Sequence, residues 1–176
     1  MTSVLRFAAV GQAGADRVAR GIAHWAEVRP GVDTSGTEVV GRVIWLAARF
    51  QEAIARSLSA HGLALGEYSA LAILRSQGGP DHELSPSALA RATFVTTGGM
   101  ANLLKRLEAR GLVARRADPA DGRGVLVRLT DPGRERIDAA MPEVARIERE
   151  LVRSLSARER AALARGLSRL MASLDD

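Results

Sequence analysis

From residue 96 the chain reads Thr96-Thr97-Gly98-Gly99-Met100-Ala101-Asn102-Leu103-Leu104-Lys105-Arg106, a run in which hydroxyl, amide, ammonium and guanidinium groups recur at helical spacing. At about 100° per residue, Met100, Leu103, Leu104 and Leu107 form one narrow apolar stripe. Gly98, Ala101, Asn102 and Lys105 fall on the opposite face, with Thr97 and Arg106 on its flanks. These groups suit duplex DNA. The threonines can cap the helix or bond a phosphate, Asn102 can make a paired contact to adenine, and Lys105 or Arg106 can reach guanine or the backbone. Each glycine costs a helix about 1 kcal/mol relative to alanine. In return, a helix end without Cβ atoms can press its backbone N–H groups toward a phosphate or a base edge. A tight contact between two helices of the chain is the competing account of the glycine pair.

A second group lies in "DPADGRG", between the β-branched or alternating runs "LVARRA" and "GVLVRL". Runs of this kind around such a turn read as a hairpin. Arg123 stands where a hairpin-tip arginine can enter a narrow minor groove, and Asp121 can hold it by a charge-assisted hydrogen bond. An ordinary Asp-Gly turn with solvated charges is the alternative. Charge distribution favours the nucleic-acid reading: between Ser85 and Asp131 eight basic residues stand against four acidic ones, so that segment carries +4 of the chain's formal +5. Of the 25 basic residues all but Lys105 are arginine. A GC-rich genome explains that bias as readily as function does, so position rather than residue type carries the inference.

Other chemistries find little footing. The chain has no cysteine, and its three histidines, His24, His61 and His82, are scattered, so neither a metal nor a cofactor is expected. The opening "VLRFAAVGQAGADRVARGIA" mimics a strand, glycine turn and helix, but Gly11 and Gly14 lack the dinucleotide-binding spacing. No nucleophile triad, carboxylate pair or phosphate loop stands out, and an enzyme is not expected. No apolar run approaches the roughly 18 residues of a membrane helix, and Arg6 interrupts the only signal-like stretch. A cytoplasmic protein without membrane attachment is the expectation.

The elements that must position these groups follow from periodicity and caps. With 176 residues, 47% hydrophobic and only 3% aromatic, the core must be packed by Leu, Ala, Val and Ile, a composition that favours helices. A short amphipathic helix is predicted over 13–28. After "RPGVDTSG", Ser35 with Glu38 forms a capping-box pattern that opens a long helix, stopped by Gly62. "LGEYSALAILRSQ" is a further helix, and "GGPDHE" a loop. Ser85 caps a short helix with Pro86 at its first position. The helix of the opening paragraph closes at Gly111, and the hairpin follows. Two more helices complete the chain, the first with Pro142 as an expected kink, the second opened by Ser156 and Glu159.

Short helix, turn, longer helix and basic hairpin is the order of a winged helix-turn-helix, whose second helix enters the major groove. The expected fold is therefore mainly α with a small β-hairpin wing. Residues 1–36 form an N-terminal extension with a short helix, 37–64 and 131–176 a helical dimerisation region, and 65–130 the DNA-binding domain. A winged-helix module without an effector, binding DNA constitutively or docking another protein, is the alternative.

The stretch from Ser85 to Gly133, above all "RLEARGLVAR" and "DPADGR" with "VRLTDPG", resembles the MarR family of bacterial transcription regulators. Asp121 and Arg123 occupy the family's wing Asp and Arg, and the helices from about residue 37 to the end are similar to its plan. The chain departs from the family's Thr-Asn-Arg-(Leu/Ile)-Asp pattern, with Ala101-Asn102-Leu103-Leu104-Lys105 in its place. The resemblance implies a homodimer made by the first and last two helices, bound to a pseudo-palindromic operator of double-stranded DNA near its own promoter, usually as a repressor. It also implies a small-molecule pocket between the dimerisation and DNA-binding parts. The extra N-terminal helix with Trp25 is similar to the subgroup that includes urate-responsive and phenolic-responsive regulators. There a tryptophan from that helix and an acidic residue after "GE" help hold a small aromatic or phenolic ligand; here Ser69 takes the acidic place. Trp25, Trp45, Arg49, Tyr68 and Ser69 are the pocket candidates this implies, and plain packing in a core or interface is the competing account of each.

Overall fold

The computed structural model describes residues 16–93, 97–120 and 124–174. The chain divides into two compact units, one ending at Arg49 and the other beginning at Phe50. In the first, α1 (Arg17–Val28) begins at Asp16, whose carboxylate accepts from the backbone N–H groups of Val18 and Ala19 at 3.0 and 3.1 Å. The same carboxylate accepts from Arg42 Nε at 2.9 Å. Arg42 belongs to α2 (Thr37–Ser59), so this pair docks one helix on the other. Close approach is possible because residue 41 is glycine: a Cβ there would stand 2.9 Å from Val18 Cγ1.

The expected Ser35–Glu38 capping box takes another form. Ser35 serves through its carbonyl, which accepts from Glu38 N–H at 3.2 Å, while Ser35 N–H is held by the Asp33 carboxylate at 2.9 Å. At its other end α2 closes as the sequence implies. Gly62 adopts φ +63°, its N–H donates to Ser59 O at 3.0 Å, and Leu63 N–H donates back to Leu58 O at 3.1 Å. That pair of hydrogen bonds across a left-handed glycine consumes carbonyls the helix end would leave open.

The second unit continues with α3 (Leu65–Gln77), β1 (Glu83–Leu84), α4 (Pro86–Thr93), α5 (Thr97–Ala109), β2 (Val113–Ala117), β3 (Val125–Leu129), α6 (Asp131–Leu151) and α7 (Ala157–Ala172). Ser85 caps α4 as expected, its hydroxyl accepting from Ala88 N–H at 3.2 Å. β2 and β3 form the predicted hairpin, antiparallel with Arg115 opposite Val127. β1 is an addition to the expected elements. It pairs with the other edge of β3, Glu83 opposite Arg128, giving the strand order β1-β3-β2. Two residues carry no detectable period, so only the partner strand reveals them.

The core is aliphatic, with Leu58, Leu71, Leu104, Leu107, Val127 and Ile137 all at most 1% exposed. β3 turns Val127 and Leu129 inward and Arg128 outward. α6 starts at Thr130, whose hydroxyl accepts from Gly133 N–H at 3.1 Å and donates to Gly111 O at 2.6 Å. It runs on through Pro142. α7 opens with the predicted capping box: Ser156 Oγ accepts from Glu159 N–H, and Glu159 accepts from Ser156 N–H at 2.7 Å. Among the described residues no helix is long and apolar enough to cross a membrane.

Candidate nucleic-acid interface

α5 is built on the stripe its sequence displays. Met100, Leu103, Leu104 and Leu107 are between 0% and 4% exposed, whereas Gly98, Ala101, Asn102 and Lys105 all lie at the surface. A Cβ placed at Gly98 would meet nothing within 4 Å. Gly98 therefore serves no close contact inside the described chain. Its absent side chain leaves room for something approaching from outside. Gly66 is different: a Cβ there would stand 3.1 Å from Leu103 Cδ1, so α3 relies on glycine to lie close beneath α5.

The C-terminal end of α5 is fastened by a group that sequence reasoning missed. Glu67, in the first turn of α3, is 6% exposed. Its Oε2 accepts from Ala64 N–H at 3.1 Å and from Arg110 Nη1 at 2.9 Å, and its Oε1 lies 3.6 Å from Arg106 Nε. The signal available was one acid among the otherwise apolar and small residues of "LGEYSAL"; only the fold brings arginines to it from 39 and 43 positions away.

Ion pairing thins out the basic stretch. Arg106 and Arg110 share Glu67, Arg115 Nε lies 3.2 Å from Glu108, and Arg116 Nε donates to Glu83 at 2.8 Å. Lys105 is exposed and forms no ion pair among the described residues. It is the α5 cation whose charge nothing within the described chain already holds. Lys105→Ala is expected to weaken duplex binding by roughly ten-fold and, if its partner is a phosphate, to lower the salt slope by about one. Titration of binding over a range of salt concentrations measures both.

The Arg116–Glu83 pair joins β2 to β1 across β3, and the Arg116 hydrogen bonds hold the Glu83 carboxyl below its ordinary range. A depressed carboxyl contributes stability that is present above its unfolded-state value and is lost as pH falls through the folded-state value. Between about pH 5 and pH 3 the melting temperature should therefore fall more steeply for the native chain than for Glu83→Gln. Parallel curves would refute the assignment.

Ser85 spends its hydroxyl on the α4 cap, with Ser87 Oγ at 3.1 Å. Thr96, Asp121 and Arg123 lie outside the described residues, as does the side chain of Thr97. Among the pocket candidates, Trp45 and Arg49 meet within the first unit, the guanidinium carbon 5.8 Å from the ring centroid. Trp25, also in that unit, is 54% exposed. In the second unit Tyr68 packs half-buried against the core; that burial, with Glu148 nearby, raises its hydroxyl above the usual phenol value. Ser69 Oγ donates to Leu65 O at 3.0 Å, inside its own helix.

In sequence and in fold the chain is similar to known transcription regulators. The sequence profile of the MarR family matches residues 61–124. YdgJ of Bacillus subtilis, an HTH-type transcriptional regulator, is 38% identical over 94 residues, which are 53% of this chain and 57% of YdgJ. The matched stretch thus spans little more than half of that relative. Among solved structures, BpsR of Bordetella bronchiseptica, whose DNA binding is regulated by 6-hydroxynicotinic acid, superposes with a TM-score of 0.68 at 27% identity, covering 76% of this chain and 98% of BpsR. A mutant MarR of E. coli in complex with operator DNA gives the same TM-score at 26% identity, covering 83% and 96%.

Proposed function

The chain belongs to the MarR family, and from that premise we propose that it is a ligand-responsive transcriptional repressor. In this reading a homodimer grips a pseudo-palindromic operator in the cytoplasm and is released by a small aromatic or anionic effector. The observation that carries the reading is the outward face of α5. Gly98, Ala101, Asn102 and Lys105 stand exposed on a fully buried aliphatic ridge, with open space where a Gly98 side chain would be. Asn102 reads bases, Lys105 reads a base or holds a phosphate, and Arg123, steadied by Asp121, supplies the wing contact. Thr96, Thr97, Gly99, Ser85 and Arg106 complete the proposed contact set.

Residues 65–130 carry DNA reading in this proposal, 37–64 and 131–176 carry dimerisation, and 1–36 are an N-terminal extension. Exposed apolar side chains support the dimer: Val40 and Ile44 on α2 are 57% and 66% exposed, and Met171 on α7 is 58% exposed. A single soluble chain gains from covering such side chains with a second copy. The effector part draws on BpsR, whose DNA binding is regulated by 6-hydroxynicotinic acid; Trp25, Trp45 and Arg49 in the first unit, and Tyr68 and Ser69 in the second, are each candidates to contact such a ligand.

Footprinting of the DNA upstream of the chain's own gene tests the reading. Protection of two half-sites about 10 bp apart, or a multiple of that, is expected. Absence of duplex binding in dilute buffer would overturn it. Thermal shift with 6-hydroxynicotinic acid and other aromatic acids, paired with operator release, tests the effector. Operator binding that none of them alters would leave the constitutive module instead, a reading favoured by the Ser69 hydroxyl already bonded within its own helix.

A further inference from the structure

Four elements meet at the cap of α2. Arg110, just past the end of α5, donates from Nη2 to Gly62 O at 2.8 Å and from Nη1 to Glu67 Oε2 on α3 at 2.9 Å. Arg136 on α6 donates from Nη1 to the neighbouring carbonyl, His61 O, at 2.7 Å. His61 in turn lies 3.2 Å from Glu143 of α6. A helix C-terminus carries partial negative charge on its free carbonyls, so two guanidinium groups are well placed there. Glu67 differs from the surface pairs of the chain, since its side chain is only 7% exposed. A carboxylate buried to that depth is tolerated only when its partners stay in place.

The planar guanidinium of Arg110 bonds two elements at once, α2 through Gly62 and α3 through Glu67, while its backbone continues α5. Lysine, with a single compact ammonium, could not reproduce that fork. α2 itself has residues in both compact units of the chain. We infer that Glu67 and Arg110 are positioning residues for DNA binding, a joint anchored on the buried Glu67 carboxylate that fixes the angle of α5 against the cap of α2 and passes displacement of α2 to the DNA-reading face. Neither residue touches DNA in this arrangement; they act through α5. The inference rests on the DNA-binding reading above.

The absence of cysteine from the sequence makes a clean test available. A nitroxide attached at Ala109→Cys, an exposed position at the end of α5, reports the spacing of the two α5 helices in the dimer. Glu67→Gln and Arg110→Met are introduced into this labelled chain. Operator DNA selected from random duplexes by the parent chain serves as the specific probe, and an unrelated duplex as the generic one. All measurements are made well below each melting midpoint.

Expected are a single narrow distance distribution in the parent and a broadened one in both variants. Operator affinity should fall about ten-fold while generic affinity and its salt slope stay near parental values. The double variant should be no worse than the worse single one, because both remove the same joint. Arg110→Lys should restore part of the affinity, keeping the Glu67 pair without the Gly62 bond, and it carries the test if Arg110→Met does not fold. A narrow distribution with parental operator affinity in both variants, whatever happens to melting, would overturn the inference. Operator and generic affinities falling together would also overturn it, by pointing to lost charge or lost fold. A parent that binds no duplex would instead sink the regulator reading itself.

Discussion

Gly98→Leu should leave the melting temperature unchanged or slightly raised and abolish most of the operator affinity. The two halves of this result have separate causes. Within the chain, position 98 has open space around the missing Cβ, and it lies in the first turn of α5. Replacing glycine by a good helix former there contributes up to about 1 kcal/mol in favour of the folded state. Against DNA the same four carbons occupy the gap through which the helix end would approach. Forcing a side chain into a fitted contact costs typically 1–3 kcal/mol, and ~2 kcal/mol is about thirty-fold in affinity. Thermal denaturation and operator titration on the same preparation check both halves. If the Gly98→Leu chain binds normally, the bare helix end faces no partner; if it melts early, the glycine serves the fold after all.

Gly133→Ala should act in the opposite way, by damaging the fold. A Cβ at that position would lie 2.0 Å from Leu112 O and 3.0 Å from Leu112 C, backbone atoms that cannot swing aside as a side-chain tip can. The clash falls where β2 leaves the end of α5 and where α6 begins, so relief would require shifting one against the other. A loss of about 3 kcal/mol or more is expected. For a chain of this size that lowers the melting midpoint by roughly 6–12 °C. Gly36→Ala, with nothing within 4 Å, is the control and should melt close to the parent. Equal melting of the two variants would contradict the packing at Leu112.

The contrast between these glycines also marks what the sequence disclosed. The stripe of Met100, Leu103, Leu104 and Leu107 was legible because a helix repeats its burial every three or four residues, and the outward face followed by subtraction. Ser85, Gly62, Gly111 and the Ser156–Glu159 pair were legible because caps are local. β1 escaped because its two residues acquire their state only from β3, more than 40 positions later. The Glu67 joint escaped for the same reason on a larger scale, since its arginine lies 43 residues away. The basic count between Ser85 and Asp131 promised a broad cationic surface. Ion pairs to Glu67, Glu83 and Glu108 divert much of it into holding the domain together, which only the folded distances reveal. Gly133 carried no local sign at all that its hydrogen faces a carbonyl.

Thr130 sits between these parts. Its one hydroxyl donates to Gly111 O, behind α5, and accepts from Gly133 N–H, at the head of α6. A single rotor thus latches two turns that are 22 positions apart, and neither can loosen without costing the other a bond. In amide-exchange terms they should behave as one cooperative opening unit, protected together in the intact protein and exposed together once valine replaces that threonine. The wing and the long helix behind it would then share one clock for their excursions from the native state.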